Sequence, residues 1–472
     1  MSKILKNQTA SAILLGDVGV TIPASPATYT IQSTDDLSFA GSSDLVTHVG
    51  SGDIIVNDGT QDLTSSDGLD LVKGLFPKEI ETIAIETAAS RDAFGRLRTS
   101  MPRTIFASDN RYDILDSIRW DTDTTGAASL VHSANKSSEI ISTTTASGDK
   151  LIHQTRRYIE YTKGKSQTIF LTGNFKEAVA NVSKKYGLFD DLNGYFFYTL
   201  GTEFGVCIRS SVSGSIVDTK VAQSSWNKDK LDGTGASGYT LDISKQQFLT
   251  IDFGWLGIAD VRFFIMINGE LILIHTFTHS NVIDVSYSQA GTLPIRIEIE
   301  NTAASAGSTI EVTCQSVQSE SLPDLQGPVY IGDSGTSETS VGTSPVILNG
   351  LRLNPSTNRA SIKPVDFRIL GTSGNSTLHF RVLLNPTIVG GTWANNAAGL
   401  AQGLTGYTSF SGGAVLDSGY IQIGGETLVS EFISDIYLGR SINGTSDVLV
   451  LAIETLSSNS KALFSGKWRE YT

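Results

Sequence analysis

The dipeptide Asn268-Gly269 lies between two apolar runs, RFFIMI and ELILIHTF. A two-residue connection of this kind needs positive φ at both central positions, which asparagine and glycine adopt most readily. The pair therefore predicts a tight antiparallel hairpin. The same punctuation recurs: Asn193-Gly194 precedes YFFYTLG, and Asn443-Gly444 falls between two strand-like segments near the C-terminus. Apolar runs at residues 151–161, 166–172, 195–200, 204–210, 248–253, 261–267, 271–277, 295–301 and 308–315 are short enough for strands. Residues 295–301 read IRIEIEN, and this strict alternation predicts one buried and one wet face. Many short strands with few helices must close as sandwiches or barrels, and a jelly roll suits residues 122–320. Within that span FKEAVANVSKKY, residues 175–186, is the best helix candidate.

A chain of 472 residues has length for roughly two to four domains. The expected class is mainly β and multidomain. Residues 1–76 read as a small N-terminal β module, with turn clusters at Asn57-Asp58-Gly59 and Ser66-Asp67-Gly68. A module this short buries little and gains stability from a partner or from copies of itself. Residues 77–121 form a connector. Its first part, PKEIETIAIETAAS at residues 77–90, fits a helix or a strand equally. After the jelly-roll-like sandwich at 122–320, residues 321–345 are rich in Gly, Ser, Thr and Pro and read as a linker. Residues 346–472 form a C-terminal β-sandwich, with strands expected at 365–370, 377–384, 420–423, 432–438 and 448–453. The Gly- and Ala-rich stretch 389–413 reads as a long loop.

Charge divides the chain. Residues 1–90 carry four lysines, no arginine and twelve acids, a net −8. Residues 91–112 then carry five arginines (Arg91, Arg96, Arg98, Arg103, Arg111) against two acids, Asp92 and Asp109. The guanidinium fork suits carboxylates, carbonyls and phosphates. One reading makes Arg91, Arg96, Arg98 and Arg103 a protein-docking segment, set against the chain's own N-terminal module, a sister chain or a neighbouring protein. The other makes the segment a solvated linker with ordinary surface pairs. Over the whole chain the net charge is −13, which argues against nucleic acid as a partner. No run of about 18 apolar residues occurs, so no membrane insertion is expected. The N-terminus MSKILKNQTASAILLG is a poor signal peptide.

Chemistry-bearing motifs are scarce. Cys207 and Cys314 form no metal or redox motif and suit synthesis in a reducing cytosol. His275 and His279 share one side of a strand but lack accompanying ligands, and read as two half-exposed strand histidines. The sequence contains no GxSxG, HExxH or GxxxxGK[ST], and no GxGxxG at a strand-to-helix junction. The fragments near residues 65–70 lack the glutamate that an EF-hand requires. No cofactor and no metal is called for. Asp190 and Asp191, with Glu203 on the next hairpin, are the serious candidates for a glycosidase pair. Neighbouring acids usually point apart, so two acids in a polar turn is the plainer reading. Trp226, Trp255, Tyr239, Phe253 and Tyr195 could stack on sugar rings, although large aromatics usually fill a core.

Three stretches together carry a resemblance: GDIIVNDGTQDLT, SRDAFGRLRTSMPRTIF and YGLFDDLNGYFFYTLGTEFGVCIRSS. They are similar to segments of tailed-bacteriophage virion structural proteins of the tail, baseplate and neck-fibre type. The resemblance covers about the first 320 residues, while the C-terminal module is only generically β. It implies a non-enzymatic component of a virion, made in the host cytoplasm without a signal peptide and bound to other virion structural proteins. Turn-rich modules with open strand edges also need those edges covered. A homotrimer is therefore expected, with hexameric packing as the alternative. The competing reading is a carbohydrate-binding adhesin or polysaccharide depolymerase on the same particle, touching a host surface glycan.

Overall fold

The computed structural model describes all residues except 1–2, 16–19, 32–41, 58–60, 64–87, 100, 112–116, 321–327, 358–359, 375–376, 397–398, 425, 430–435 and 472. The chain is mainly β and its sheets are antiparallel throughout. It divides into two compact units, Met1–Ser90 and Arg91–Thr472. The arginine segment therefore groups with the sandwiches that follow it. The alternatives weighed for residues 77–87, the turn at Ser66-Asp67-Gly68 and the loops at 65–70 lie outside the described residues.

The first unit holds a three-stranded sheet, in the order Thr28–Ile31, Lys3–Asn7, Ile54–Asn57, and a hairpin of Ile13–Leu15 with Val20–Ile22. The turn-rich reading overlooked a helix at Ser43–Ser51. Its N-cap is Ser42, whose Oγ accepts the Leu45 N–H, and it ends on Gly52 at φ 84°. Leu45 and Val49 sit one turn apart and pack on Leu5, Leu15, Ile54 and Val56.

The second unit contains two sandwiches. In the first, one sheet has seven strands in the order Val217–Ala222, Glu203–Ser210, Gly194–Leu200, Val182–Phe189, Ile295–Asn301, Lys150–Thr155, Trp120–Thr125. The facing sheet has eight strands. It runs from Glu270–Phe277 through Val261–Ile267, Gln247–Phe253, Gln167–Asn174 and Ser308–Ser319 to Ser138–Thr143 and Ser129–Ser133. Arg103–Asp109 is the eighth strand and pairs with the second half of Ser308–Ser319. Alternate residues of both sheets, such as Ile297, Leu188 and Tyr195 facing Ile169, Ile251 and Phe263, form one core. The predicted hairpin is present: Asn268 (φ 52°) and Gly269 (φ 85°) join Val261–Ile267 to Glu270–Phe277.

Three expectations are corrected here. Residues 175–186 are not a helix. Lys176 (φ 56°) and Asn181 (φ 63°) both leave the right-handed region, and Val182–Phe189 becomes a central strand paired on both sides. Pairing in mid-sheet overrides a weak helical pattern. The polar face of Ile295–Asn301 is not wet. Arg296 and Glu298 are buried on it because they neutralise one another and Lys185. His275 and His279 are also buried rather than half-exposed. His275 Nδ1 accepts the Asn227 N–H at 3.2 Å, and the His279 ring stacks on Tyr287.

In the second sandwich a five-stranded sheet orders Val329–Asp333, Ser460–Tyr471, Ser361–Gly374 and Glu426–Val429, with Thr339–Val341 also on Ser460–Tyr471. The segment read as a linker thus supplies two strands. The stretch 389–413 is not a long loop either. Thr387–Asn395 and Ala401–Ser411 form a hairpin at one edge of the six-stranded sheet. Glycines at positions 390, 391 and 406 with positive φ let this pair bend, a freedom that composition alone mimics as a loop.

The two sandwiches meet along a desolvated seam. Arg156 donates to Asp447 and to Asp121, each at 3.0 Å. Arg440 reaches the Tyr158 hydroxyl, and its backbone N–H donates to the Arg156 carbonyl at 3.1 Å. The Ser361 hydroxyl donates to Glu160 at 2.7 Å, and the Arg157 guanidinium lies 3.5 Å from the centre of the Tyr437 ring. Gly439 permits the approach, since a Cβ there would sit 2.0 Å from the Arg156 carbonyl oxygen. Burial pushes the Asp447 carboxyl up, and Arg156 offsets this only in part.

Candidate functional site

The arginine segment folds back on itself before it reaches the sandwich. Asp92 Oδ1 accepts the N–H groups of Phe94 (2.9 Å) and Arg96 (2.8 Å), and Gly95 takes φ 77°. Such a turn places Arg96 beside Asp92, with Arg96 Nε 2.8 Å from Oδ2. Arg91 donates to the Gly95 carbonyl at 2.9 Å. Phe94 plugs onto the backbone of Gly254, where a Cβ would lie 2.4 Å from its ring. Arg103 opens the strand Arg103–Asp109 and is exposed.

Arg98 goes furthest inward. Its Nη2 donates to Asp252 Oδ1 at 2.6 Å, its Nη1 pairs with Glu320, and its Nε reaches the Arg91 carbonyl at 3.3 Å. Arg262 holds the other oxygen of Asp252, its Nε at 3.0 Å. Ser166 donates to Oδ1 at 2.7 Å. Burial pushes the Asp252 carboxyl up, but Arg262 and Arg98 outweigh it and hold it below its ordinary value. Residues Thr168, Asp252 and Arg262 lie side by side across the outer face of the eight-stranded sheet. The segment thus straps this face.

Among the catalytic candidates, Asp190 is buried and its Oδ1 accepts the Leu192 and Asn193 N–H groups, both at 2.8 Å. It closes the turn before Gly194–Leu200. Asp191 points outward to Arg296 (2.6 Å), and Glu203 accepts from the Tyr198 hydroxyl. The three acids are not brought together as an opposed pair. Glu298, unremarked in the sequence, sits amid Lys185 (2.7 Å), Lys150 (3.9 Å) and Arg296 (3.5 Å). Burial alone would raise its carboxyl, yet the three cations bring it down to about 2. A group so strongly ionised is an anchor and a poor proton donor. The thiols of Cys207 and Cys314 are free and lie on different sheets, and burial pushes both up.

Trp226, Phe253 and Tyr195 are core, and Tyr239 and Trp255 pack against it. Trp255 also lines a groove of about 450 Å³ where the two sandwiches meet. Tyr161 lies edge-on to it, 6.3 Å between ring centroids at 75°. The indole is fixed by its N–H donating to the Ser288 carbonyl at 3.1 Å. Leu400 and Ala360 of the second sandwich form the opposite wall. Buried Glu470 sets that wall by accepting the Leu400 N–H (2.6 Å) and the Ala401 N–H (3.0 Å). Lys163 stands at the rim on a turn closed by the Lys165 N–H to the Thr162 carbonyl, with Gly164 at φ 74°. Arg96 Nη2 donates to the Gly164 carbonyl at 3.1 Å and so stakes this turn to the arginine segment. Sequence reasoning placed Trp255 among five aromatics without separating it. The preceding Gly254, which follows the strand Gln247–Phe253, was the one local sign that it leaves the sheet.

No protein family matches the sequence, and no curated protein matches it. Three solved structures illustrate what the fold is similar to. A protein of unknown function from Shewanella oneidensis MR-1 is 12% identical, covering 52% of this chain and 93% of its own, with a TM-score of 0.31. A glycosyl hydrolase family protein from Mycobacterium fortuitum is 13% identical over 46% of this chain and 99% of its own, at 0.32. A β-glucanase from Mycobacterium abscessus, so named provisionally, is 11% identical over 46% and 100%, at 0.33. Such low TM-scores decide nothing about activity. Among the described residues no helix is long and apolar enough to cross a membrane, and no cluster of three or more metal-ligating side chains occurs.

Proposed function

We propose that the chain is a structural component of a tailed-phage virion, acting in particle assembly and host attachment. The observation that carries this reading is the seam. Half-buried Arg156 and Arg440 lock two sandwiches into one body through charge-assisted contacts to buried Asp447 and Tyr158. Breaking such a pair costs roughly 3–5 kcal/mol, so the body transmits load without hinging there. Residues 1–90 remain a separate compact unit and serve as the attachment module. Open strand edges, such as Ser129–Ser133 with exposed Val131, favour pairing with other virion proteins or with sister chains, as a homotrimer or in hexameric packing. Mass spectrometry of purified particles and cryo-EM of the intact virion test this directly. The chain should appear at a fixed stoichiometry in symmetric density. Its absence from washed particles would overturn the reading.

A further inference from the structure

We infer that the groove between the sandwiches is a binding site for an acidic saccharide, stacking a sugar ring on Trp255 and taking its carboxylate at Lys163. Three features select this class. First, the groove is amphipathic. The Trp255 and Tyr161 rings with Leu400 make apolar walls, while the Thr292 and Thr357 hydroxyls lie among them. A pyranose has the matching character, with an apolar C–H face and a polar edge. At about 450 Å³ the groove is within the range of ligand clefts, roughly 300–1,000 Å³.

Second, the lining carries one charge, and it is positive: Lys163 is the only charged residue among the described lining residues. It is exposed and has neither an ion pair nor a side-chain hydrogen bond among the described residues. A cation at the lip of an aromatic groove complements a ligand with an apolar face and a negative edge, which a uronic or sialic acid residue provides and a neutral hexose does not.

Third, the walls are held in place before any ligand arrives. Trp255 is fixed by Ser288, Leu400 by Glu470, and the Lys163 turn by Arg96. Preorganisation of this kind lowers the ordering cost of binding. It also gives the seam a second consequence, because the groove exists only while both sandwiches hold their positions. Arg96 acts here as a positioning residue.

The experiment uses the purified full chain, so it reads the groove alone. Particle composition reads the virion assignment, and either can fail without the other. Tryptophan fluorescence and calorimetric titration would be run with tetragalacturonate, a hyaluronan tetrasaccharide and sialyllactose, against maltotetraose as the neutral control. At least one acidic saccharide should bind, and maltotetraose should bind at least about tenfold more weakly. Lys163→Gln should weaken the acidic ligand by about tenfold or more, the factor for one charge-assisted hydrogen bond. Lys163 is exposed, so this variant should melt with the wild type. Trp255→Leu should abolish binding, and a far-UV spectrum checks its fold. Arg96→Met should weaken binding less than Lys163→Gln. Absence of binding by all three acidic saccharides, equal binding of maltotetraose, or unchanged binding in Lys163→Gln would each overturn the inference.

Discussion

Replacing Arg98 with Met tests whether the arginine segment is part of the sandwich or merely lies on it. In the wild type its guanidinium is mostly buried and shared between Asp252 and Glu320, both of them buried. Methionine keeps much of the aliphatic volume and removes the charge. Arg262 still holds Asp252 Oδ2, so that carboxylate is not wholly abandoned. The loss should fall near the lower end for a broken buried pair, about 3 kcal/mol. At about 2.1 cal/mol/K of unfolding entropy per residue over residues 91–472, that is about 4 °C in melting temperature. Arg96→Met makes the matched control, because Arg96 is about half exposed and its pair with Asp92 should contribute about 0–1 kcal/mol. The pH dependence gives a second readout. The Asp252 carboxyl is depressed in the folded state, so its stabilisation is present above the unfolded aspartate value and is lost as pH falls through the folded one. Without Arg98 that depression shrinks, and the acid limb of the stability curve should move to higher pH. Chemical denaturation across pH 3–7 (about that range) would follow both effects. If Arg98→Met and Arg96→Met melt together, the strap contributes nothing to stability and the argument from burial fails.

Gly269→Val should destabilise the first sandwich by about 1–2 kcal/mol or more, since Gly269 holds φ 85° in a two-residue turn; a melting curve matching the wild type would refute the steric argument. Lys185→Gln should raise the pH of acid unfolding. Glu298 is held down to about 2, so its stabilisation is full above the ordinary glutamate value and fades as pH drops toward 2, and losing Lys185 shifts that fading upward. Circular dichroism against pH checks the shift. Arg156→Met should uncouple the sandwiches into two calorimetric transitions, and adding Asp447→Asn should recover part of the loss, because the amide no longer leaves a buried charge. A single transition in Arg156→Met would show that the remaining seam contacts couple the sandwiches without the Arg156–Asp447 pair. Cys207, buried and with its thiol pushed up by burial, should resist thiol reagents until the sandwich unfolds; fast labelling of native protein would contradict its placement.

What the chain determined by itself is local. Asn268-Gly269 reaches positive φ at both turn positions more readily than other pairs, so its hairpin was legible from two residues and their apolar flanks. The short apolar runs and scarce helical periods carried the β class in the same way, because strand period and turn chemistry need no knowledge of distant residues. The helix at Ser43–Ser51 was missed although Ser42 and Gly52 were its caps. The tertiary structure decided everything that depends on which strands meet. The last five residues of FKEAVANVSKKY became strand because Val182–Phe189 found partners on both sides. IRIEIEN lost its wet face because Lys185, one strand away in space and over a hundred residues away in sequence, neutralises Glu298. The arginines looked alike in sequence, yet Arg98 reaches residues 154 and 222 positions away while Arg103 stays exposed. Trp226 and Trp255 were likewise equivalent until the fold buried one in the core and left the other partly buried along the groove. A charge or an aromatic ring takes its role from its neighbours, and those neighbours are set by sheet register and sandwich docking, which no local pattern encodes.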